Sequence, residues 1–180
     1  MLCLQINLRI DVEDVTNIFI PSIDGTHCSI KEPRLEPSRL WYSHKLNKPG
    51  VAYEIAIDVF ENKVAWINGP FKAGESDLSI FQKENGLKSK IPPGKLLIAD
   101  KGYIGEAQFS TPYSFDEDVL KDFKARVQAR HENFNGRIKE CRVLSERFRS
   151  HRIEAHGTVF TAVCVLVQYS MENGRPLIET

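Results

Sequence analysis

The sequence predicts a single mixed α/β or α+β domain, with strands first, then a helix and a further strand, and helices last. Three observations predict it: β-rich runs in the first half, a short continuous apolar run at residues 95–99, and helical spacing of apolar residues in the last third. The length of 180 residues suits one domain, and a hydrophobic fraction of 42% is enough for a packed core.

Four apolar or β-rich runs predict strands, at residues 18–23, 51–60, 63–67 and 95–99. The first run ends at Asp24-Gly25, which predicts a turn directly after the strand. Asn62 separates the second run from the third, so these two are expected to form a hairpin. The last is a continuous apolar run that stops at Asp100, a pattern typical of a buried strand. Residues 31–50 hold three prolines and many charges and predict a loop.

Three segments combine helical spacing with terminal signals, at residues 75–85, 119–148 and 154–173. The first begins with acidic residues and ends before Gly86. The second follows a capping box at residues 114–117 and contains Gly136, where we expect a kink. The third stops at Gly174, as helices commonly do.

Charge is unevenly distributed along the chain, although the formal net charge is zero. Residues 121–152 hold ten Lys and Arg against four Asp and Glu. Such a basic stripe can meet a phosphate backbone, and the alternative is an ordinary solvated helix face.

The cysteines and the apolar stretches predict an intracellular protein. The four cysteines, Cys3, Cys28, Cys141 and Cys164, form no CxxC pair and are expected to be reduced thiols. The first residues lack the pattern of a signal peptide, and the apolar stretch 159–167 is too short to span a bilayer. We therefore expect no membrane association, and a nuclear location in a eukaryote or a cytoplasmic one otherwise.

Three acidic residues are candidates for chemistry. Asp24 and Asp100 each end an apolar run, and on neighbouring strands their carboxylates would lie within reach of one cation at the rim of the sheet. Glu132 lies nearly opposite the apolar face of its helix, on the side of Asn135 and Lys139, by a rotation of about 100° per residue. Taken singly, each acid also has an ordinary explanation, as a turn residue or as part of a wet helix face.

The histidines give weaker signals. His131, next to Glu132, is expected on the helix surface. A zinc site built from His27-Cys28 with His151 and His156 can be drawn, but the spacing fits no standard zinc site.

Several segments occur in an order that is informative as a whole. They are IDGTH at 23–27, GP at 69–70 followed by Gly74 and SDLSIF at 76–81, IADKGY at 98–103, and RHENFNGRIK at 130–139, with Phe148-Arg149 and His156 downstream. Together they resemble the DDE superfamily endonucleases, the transposases of the Harbinger type and related bacterial insertion-sequence transposases. The most specific segment is IADKGY, and the resemblance covers nearly the whole chain.

The resemblance implies a ribonuclease H-like core, a mixed sheet flanked by helices, with residues 1–180 as one catalytic domain. It implies that Asp24, Asp100 and Glu132 are catalytic and bind divalent metal, Mg²⁺ or Mn²⁺, as two ions. Such a site cuts and joins DNA by in-line displacement at phosphorus, with water or a DNA 3′-hydroxyl as the nucleophile. Lys101, Asn135, Lys139 and Arg142 are candidates for contact with DNA phosphates.

One departure keeps two classes of function open. Members of this family usually carry a helical DNA-binding region before the first Asp, whereas 23 residues precede Asp24 here. We therefore expect either a separate DNA-binding partner protein or a truncated copy. The first class is an active endonuclease or strand transferase, and the second is a domesticated or decayed module that binds DNA or protein without catalysis. The C-terminal apolar helix is expected in the core or at a homodimer surface.

Overall fold

A computed structural model describes residues 19–111, 118–150 and 152–179. The capping box expected at residues 114–117 lies outside these described residues. The strands are β1 (Phe19–Ser29), β2 (Tyr42–Ser43), β3 (Lys48–Asp58), β4 (Val64–Lys72), β5 (Leu96–Ala99) and β6 (Phe109–Ser110). The helices are α1 (Ser38–Trp41), α2 (Asp77–Phe81), α3 (Asp118–Glu140), α4 (Arg142–Ser145) and α5 (Ile153–Glu172), and residues 87–90 and 101–103 form short 3₁₀ helices. This combination of a mixed sheet with helices confirms the predicted α/β fold.

The sheet is organised around β1, which has a different kind of partner on each side. It pairs antiparallel with β3 from Pro21 to Ser29, and parallel with β5 only as far as the pair Ile23–Ala99. β4 continues the sheet antiparallel beyond β3, β6 continues it parallel beyond β5, and β2 pairs with the first residues of β3. The parallel ladder between β1 and β5 therefore stops one residue before Asp24.

Helices cover both faces of this sheet. On one face, α3 and α5 pack on β1 and β3, where Tyr53 stacks on Phe160 with ring centroids 3.6 Å apart. On the other face, α2 and the 3₁₀ helices pack on Ile23, Ala56 and Ala99. Full burial of each large apolar side chain contributes about 1.5–3 kcal/mol, so these two layers hold the strands in place. None of the described helices is both long and apolar enough to cross a membrane.

Several predicted elements differ from the observed ones. The turn expected at Asp24-Gly25 is wrong, because the antiparallel ladder with β3 carries β1 on to Ser29. The loop expected at residues 31–50 contains α1, β2 and the start of β3. The hairpin of β3 and β4, the buried strand β5 and the last helix α5 are confirmed.

The long helix also ends earlier than expected. α3 runs through Gly136 as one helix and ends at Glu140, and Cys141 adopts an extended backbone (φ −73°, ψ 112°) before α4 begins. The helical segment is therefore interrupted at Cys141 and not at Gly136.

The basic segment 121–152 is not one solvated face. Lys124 and Arg130 are buried, and each donates to main-chain carbonyls: Lys124 Nζ to Thr111 O at 2.9 Å, and Arg130 to Ile178 O at 3.0 Å. Arg137 likewise donates to the carbonyl of Pro176 at 2.7 Å. These cations hold loops and the C-terminal residues onto α3. Only part of the basic segment 121–152 is therefore available to an anionic partner.

Candidate functional site

Asp24 and Asp100 lie at the same end of the parallel ladder between β1 and β5. Ile23 and Ala99 are the last paired residues, and Asp24 and Asp100 are the residues that follow them. The strands that carry them are thus neighbours in the sheet, as the metal-binding interpretation of these two acids requires. Residues that follow the carboxyl ends of parallel strands are where α/β proteins bind their ligands.

The carboxylate of Asp24 is partly buried and fixed by two donors. Its Oδ1 accepts from the main-chain N–H of Gly25 at 2.7 Å, and its Oδ2 accepts from Asn135 Nδ2 at 2.8 Å. Burial raises the pKa of Asp24 to about 6, and the charges of Asp100 and Asp77 also raise it, while Lys45 and the Gly25 N–H lower it. Burial is thus the main reason that the ionised form of Asp24 is disfavoured, and the neighbouring aspartates add to the effect.

Asp100 is exposed and is held by its own 3₁₀ turn. Its Oδ1 accepts from the main-chain N–H of Gly102 at 2.8 Å and so caps the 3₁₀ helix. This bond fixes the carboxylate at the rim of the sheet. Lys101, which lies between Asp100 and Gly102 in the sequence, is exposed next to Asp100.

Gly25 allows the side chain of Asp77 to lie close to β1, a contact that the sequence analysis did not predict. A Cβ atom at Gly25 would lie 2.2 Å from Asp77 Oδ1, so only glycine leaves room for this carboxylate against β1. Asp77 is the first residue of α2, which Ser76 caps by accepting from the Ser79 N–H at 3.2 Å. An isolated glycine inside a strand often marks such a close approach. Because the sequence predicted a turn at Gly25, this signal could not be used.

Lys45 joins Gly25 to Asp77 and was also missed. Its Nζ donates to the carbonyl of Gly25 at 2.9 Å and to Asp77 Oδ2 at 3.1 Å. Lys45 lies in the turn between β2 and β3, within the segment expected to be a featureless loop. The acidic rim of the sheet thus contains a third aspartate and a lysine from distant parts of the chain.

α3 lies along β1 through three polar contacts. His131 Nδ1 and Ser22 Oγ are 3.0 Å apart, and Asn135 bonds Asp24 one turn further on. One turn beyond that, Lys139 Nζ contacts the carbonyl of His27, and it lies 3.1 Å from Cys28 Sγ. Asn135 therefore belongs to the site, whereas Lys139 is occupied along β1.

The expected surface position of His131 is wrong. Its side chain is buried against β1, and burial lowers its pKa to about 3. Helical periodicity places it beside polar residues, but the hydroxyl of Ser22 supplies the partner that allows an imidazole in the interior.

Glu132 is exposed on α3, close to the side that carries Asn135 and Lys139. Within residues 19–111, 118–150 and 152–179, no group of three or more His, Cys, Asp or Glu could hold a metal ion. The structure thus brings Asp24 and Asp100 together but does not gather Glu132 with them.

Arg142, a further candidate for phosphate contact, is already paired. Its guanidinium makes a bidentate contact with Glu146 Oε1, at 3.0 Å from Nε and 2.7 Å from the terminal nitrogen. An exposed i,i+4 pair of this kind contributes only about 0.3–0.5 kcal/mol, so Arg142 can exchange this partner for another anion at little cost.

Glu54 is a further acid behind the rim. It pairs with Gly25 across the β1–β3 ladder, and its side chain is buried with Oε2 accepting from Trp66 Nε1 at 3.0 Å. Burial, with a smaller contribution from the charge of Asp77, raises the pKa of Glu54 to about 7. Glu54 is too enclosed to meet a substrate.

The donor set at the end of the β1–β5 ladder fits a hard divalent cation. Asp24 and Asp100 supply carboxylate oxygens, which Mg²⁺ and Mn²⁺ prefer. Burial is the main cause of the raised pKa of Asp24, and the charge of Asp100 adds to it, so a cation bound between the two carboxylates would stabilise the ionised form.

Comparison with curated proteins and with solved structures gave no significant match. Comparison with family models gave one that describes the DDE superfamily endonucleases and matches residues 23–168. This span begins at the last residue before Asp24 and includes β3 to β6, α3 and most of α5. The chain belongs to the DDE superfamily endonuclease family, a family of nuclease-type enzymes.

Proposed function

We propose that this protein is a metal-dependent DNA endonuclease and strand transferase of the transposase type. The observation that carries the proposal is the position of Asp24 and Asp100, which follow the last pair of the parallel β1–β5 ladder in a chain of this family. The substrate is the phosphodiester backbone of DNA.

In this proposal Asp24 and Asp100 hold the divalent ion, Mg²⁺ or Mn²⁺. When bound, a pair of such ions activates the attacking oxygen and stabilises the leaving oxygen at phosphorus. The chain's own contribution is placement: the Gly25 N–H and Asn135 orient Asp24, and the Gly102 N–H orients Asp100. Because these carboxylates are already fixed, they lose less conformational freedom on metal binding than loose carboxylates would.

Glu132 is proposed as the third acid, which joins the other two when metal and DNA are present. Lys101 is the best placed of the four phosphate-contact candidates, because it is exposed directly after Asp100. Asn135 acts on Asp24 and not on phosphate in this arrangement, and Lys139 and Arg142 would first have to leave their present partners.

The test combines plasmid nicking with metal binding. The wild-type protein should nick supercoiled DNA weakly in Mg²⁺ or Mn²⁺ and without sequence preference, since loosely positioned substrate costs orders of magnitude in rate. Asp100→Ala should abolish nicking and weaken Mn²⁺ binding in calorimetry while the protein stays folded, because Asp100 is exposed at the rim. Asp122→Ala, at an exposed position on α3, is the matched control and should change neither measurement.

Nicking that survives both Asp100→Ala and Asp24→Ala would rule out this site. An alternative function is a non-catalytic DNA- or protein-binding module, and it is favoured because Glu132 is exposed and no group of three possible metal ligands occurs among the described residues. Salt-sensitive DNA binding without any Mn²⁺ binding by the wild-type protein would support that alternative.

A further inference from the structure

The turn between β2 and β3 places the ammonium group of Lys45 at the acidic rim. Residues 44–47 form this turn, and Asn47 adopts a left-handed backbone (φ 53°) that helps to close it. The geometry brings Lys45 against β1 beside Asp24, although the two residues are 21 positions apart in the sequence.

Two of the three N–H donors of Lys45 are used by partners among the described residues. One goes to the Gly25 carbonyl at 2.9 Å and one to Asp77 Oδ2 at 3.1 Å. The side chain is 45% exposed, whereas that of Asp77 is 13% exposed. Lys45 is thus anchored on its protein side and open to solvent on the other, with a third donor available to a ligand.

The surrounding charges explain why a cation is needed at this position. Lys45 is held at the Gly25 carbonyl, one residue from Asp24, and against the carboxylate of Asp77, while Asp100 follows the neighbouring strand. A DNA phosphate that approaches these carboxylates is repelled by all of them. A fixed ammonium group beside them offsets that repulsion and offers a charge-assisted hydrogen bond to a phosphate oxygen.

We propose that Lys45 contacts a phosphate of the bound DNA and that Asp77 is the positioning residue that holds it there. This inference rests on the proposed function for the identity of the ligand. It adds to the site a cation that lies outside the acidic triad and outside the basic segment 121–152.

A purely structural role for Lys45 makes a different prediction. If Lys45 only ties β1 to α2, Lys45→Met and Asp77→Asn should lower thermal stability by similar amounts and leave DNA binding unchanged. If Lys45 contacts phosphate, Lys45→Met should change the salt dependence of DNA binding, which loss of a structural tie does not affect.

The experiment measures the affinity of the full chain for a short DNA duplex against NaCl concentration, with EDTA present. Loss of one phosphate contact reduces the slope of log K against log salt by about 0.9, which corresponds to roughly eightfold weaker binding at about 0.1 M salt. We expect this change for Lys45→Met, with Lys45→Arg retaining the wild-type slope. Lys90→Met, at an exposed position in the 3₁₀ helix 87–90, is the control and should keep the slope.

An unchanged slope in folded Lys45→Met would overturn the proposal, whatever the nicking activity. If wild-type protein nicks DNA and Lys45→Met has an unchanged slope, the proposed function stands and the role of Lys45 fails. If wild-type protein neither nicks DNA nor binds Mn²⁺ but Lys45→Met lowers the slope, the nuclease function fails and the phosphate contact stands.

Discussion

Asp24→Asn tests the charge at the end of the β1–β5 ladder quantitatively. Asp24 has a pKa of about 6 in the folded protein, against its ordinary value of 3.8. Between these values the folded state binds more protons than the unfolded state, so stability falls as pH rises through the window. Above pH 6, the ionised carboxylate therefore costs the metal-free protein about 3 kcal/mol.

Asparagine keeps the shape of Asp24 and removes this charge. Its carbonyl can still accept from the Gly25 N–H, and Asn135 Oδ1, which has no hydrogen-bond partner among the described residues, can accept from the new amide after a flip. We therefore expect Asp24→Asn to be more stable than wild type at pH 8 in EDTA by about 1–3 kcal/mol. For a chain of this size, that raises Tm by about 2–4 °C per kcal/mol.

The assay is thermal and urea unfolding at pH 4, 6 and 8 in EDTA, repeated with Mn²⁺ at pH 8. The advantage of Asp24→Asn should shrink towards pH 4 and reverse in Mn²⁺, because only the wild type retains the ligand. Asp122→Asn, at an exposed position on α3, should stay within about 0.5 kcal/mol of wild type throughout. A stability gain that is independent of pH, or a loss at pH 8 in EDTA, would refute the reasoning.

Three further substitutions test this reasoning, at Gly25 and Glu54 near the site and at Gly136 on α3. Gly25→Ala should lower the free energy of unfolding by about 1–3 kcal/mol, because the new Cβ would lie 2.2 Å from Asp77 Oδ1. Gly136→Ala, where nothing lies within 4 Å of the new atom, should instead raise it by about 0.5–1 kcal/mol; equal effects in urea unfolding would contradict both. Since burial raises the pKa of Glu54 to about 7, Glu54→Gln should stabilise the protein above pH 7 and have little effect near pH 4. Trp66 donates to Glu54, so fluorescence should titrate near pH 7 in wild type, and a profile unchanged by Glu54→Gln would exclude Glu54 as the cause.

The sequence predicted the elements whose signals are local. The run 95–99 is apolar from Leu96 onward and is bounded by Gly94 and Asp100, so both its type and its end could be predicted. The continuation of β1 past Gly25 could not, because it depends on main-chain bonds to a strand that begins at Lys48. A local pattern of Asp before Gly favours a turn, and the tertiary ladder overrode it.

The same distinction applies to the candidate site. Asp24 and Asp100 could be paired from the sequence because each follows a predicted strand in a recognisable motif. Asp77 and Lys45 could not be placed, since their contact joins residues 32 positions apart through the space left by Gly25. Helical periodicity also cannot show that the Ser22 hydroxyl is positioned to hydrogen-bond a buried histidine. His131 was therefore wrongly expected on the helix surface.

Three contacts between α3 and β1 limit how Glu132, the proposed third acid, would reach Asp24 and Asp100. His131, Asn135 and Lys139 are spaced one helical turn apart and each has its own partner on the strand. A slide of α3 by one turn, about 5.4 Å, would break all three at once and expose a buried imidazole. These contacts therefore hold the register of α3 on β1, and in the proposed function the exposed side chain of Glu132 would approach the two aspartates without a shift of the helix. The three acids would then come together by a change of side-chain rotamer and not by a shift of the helix. Rotamer changes of exposed side chains take nanoseconds or less, whereas helix register shifts are slower.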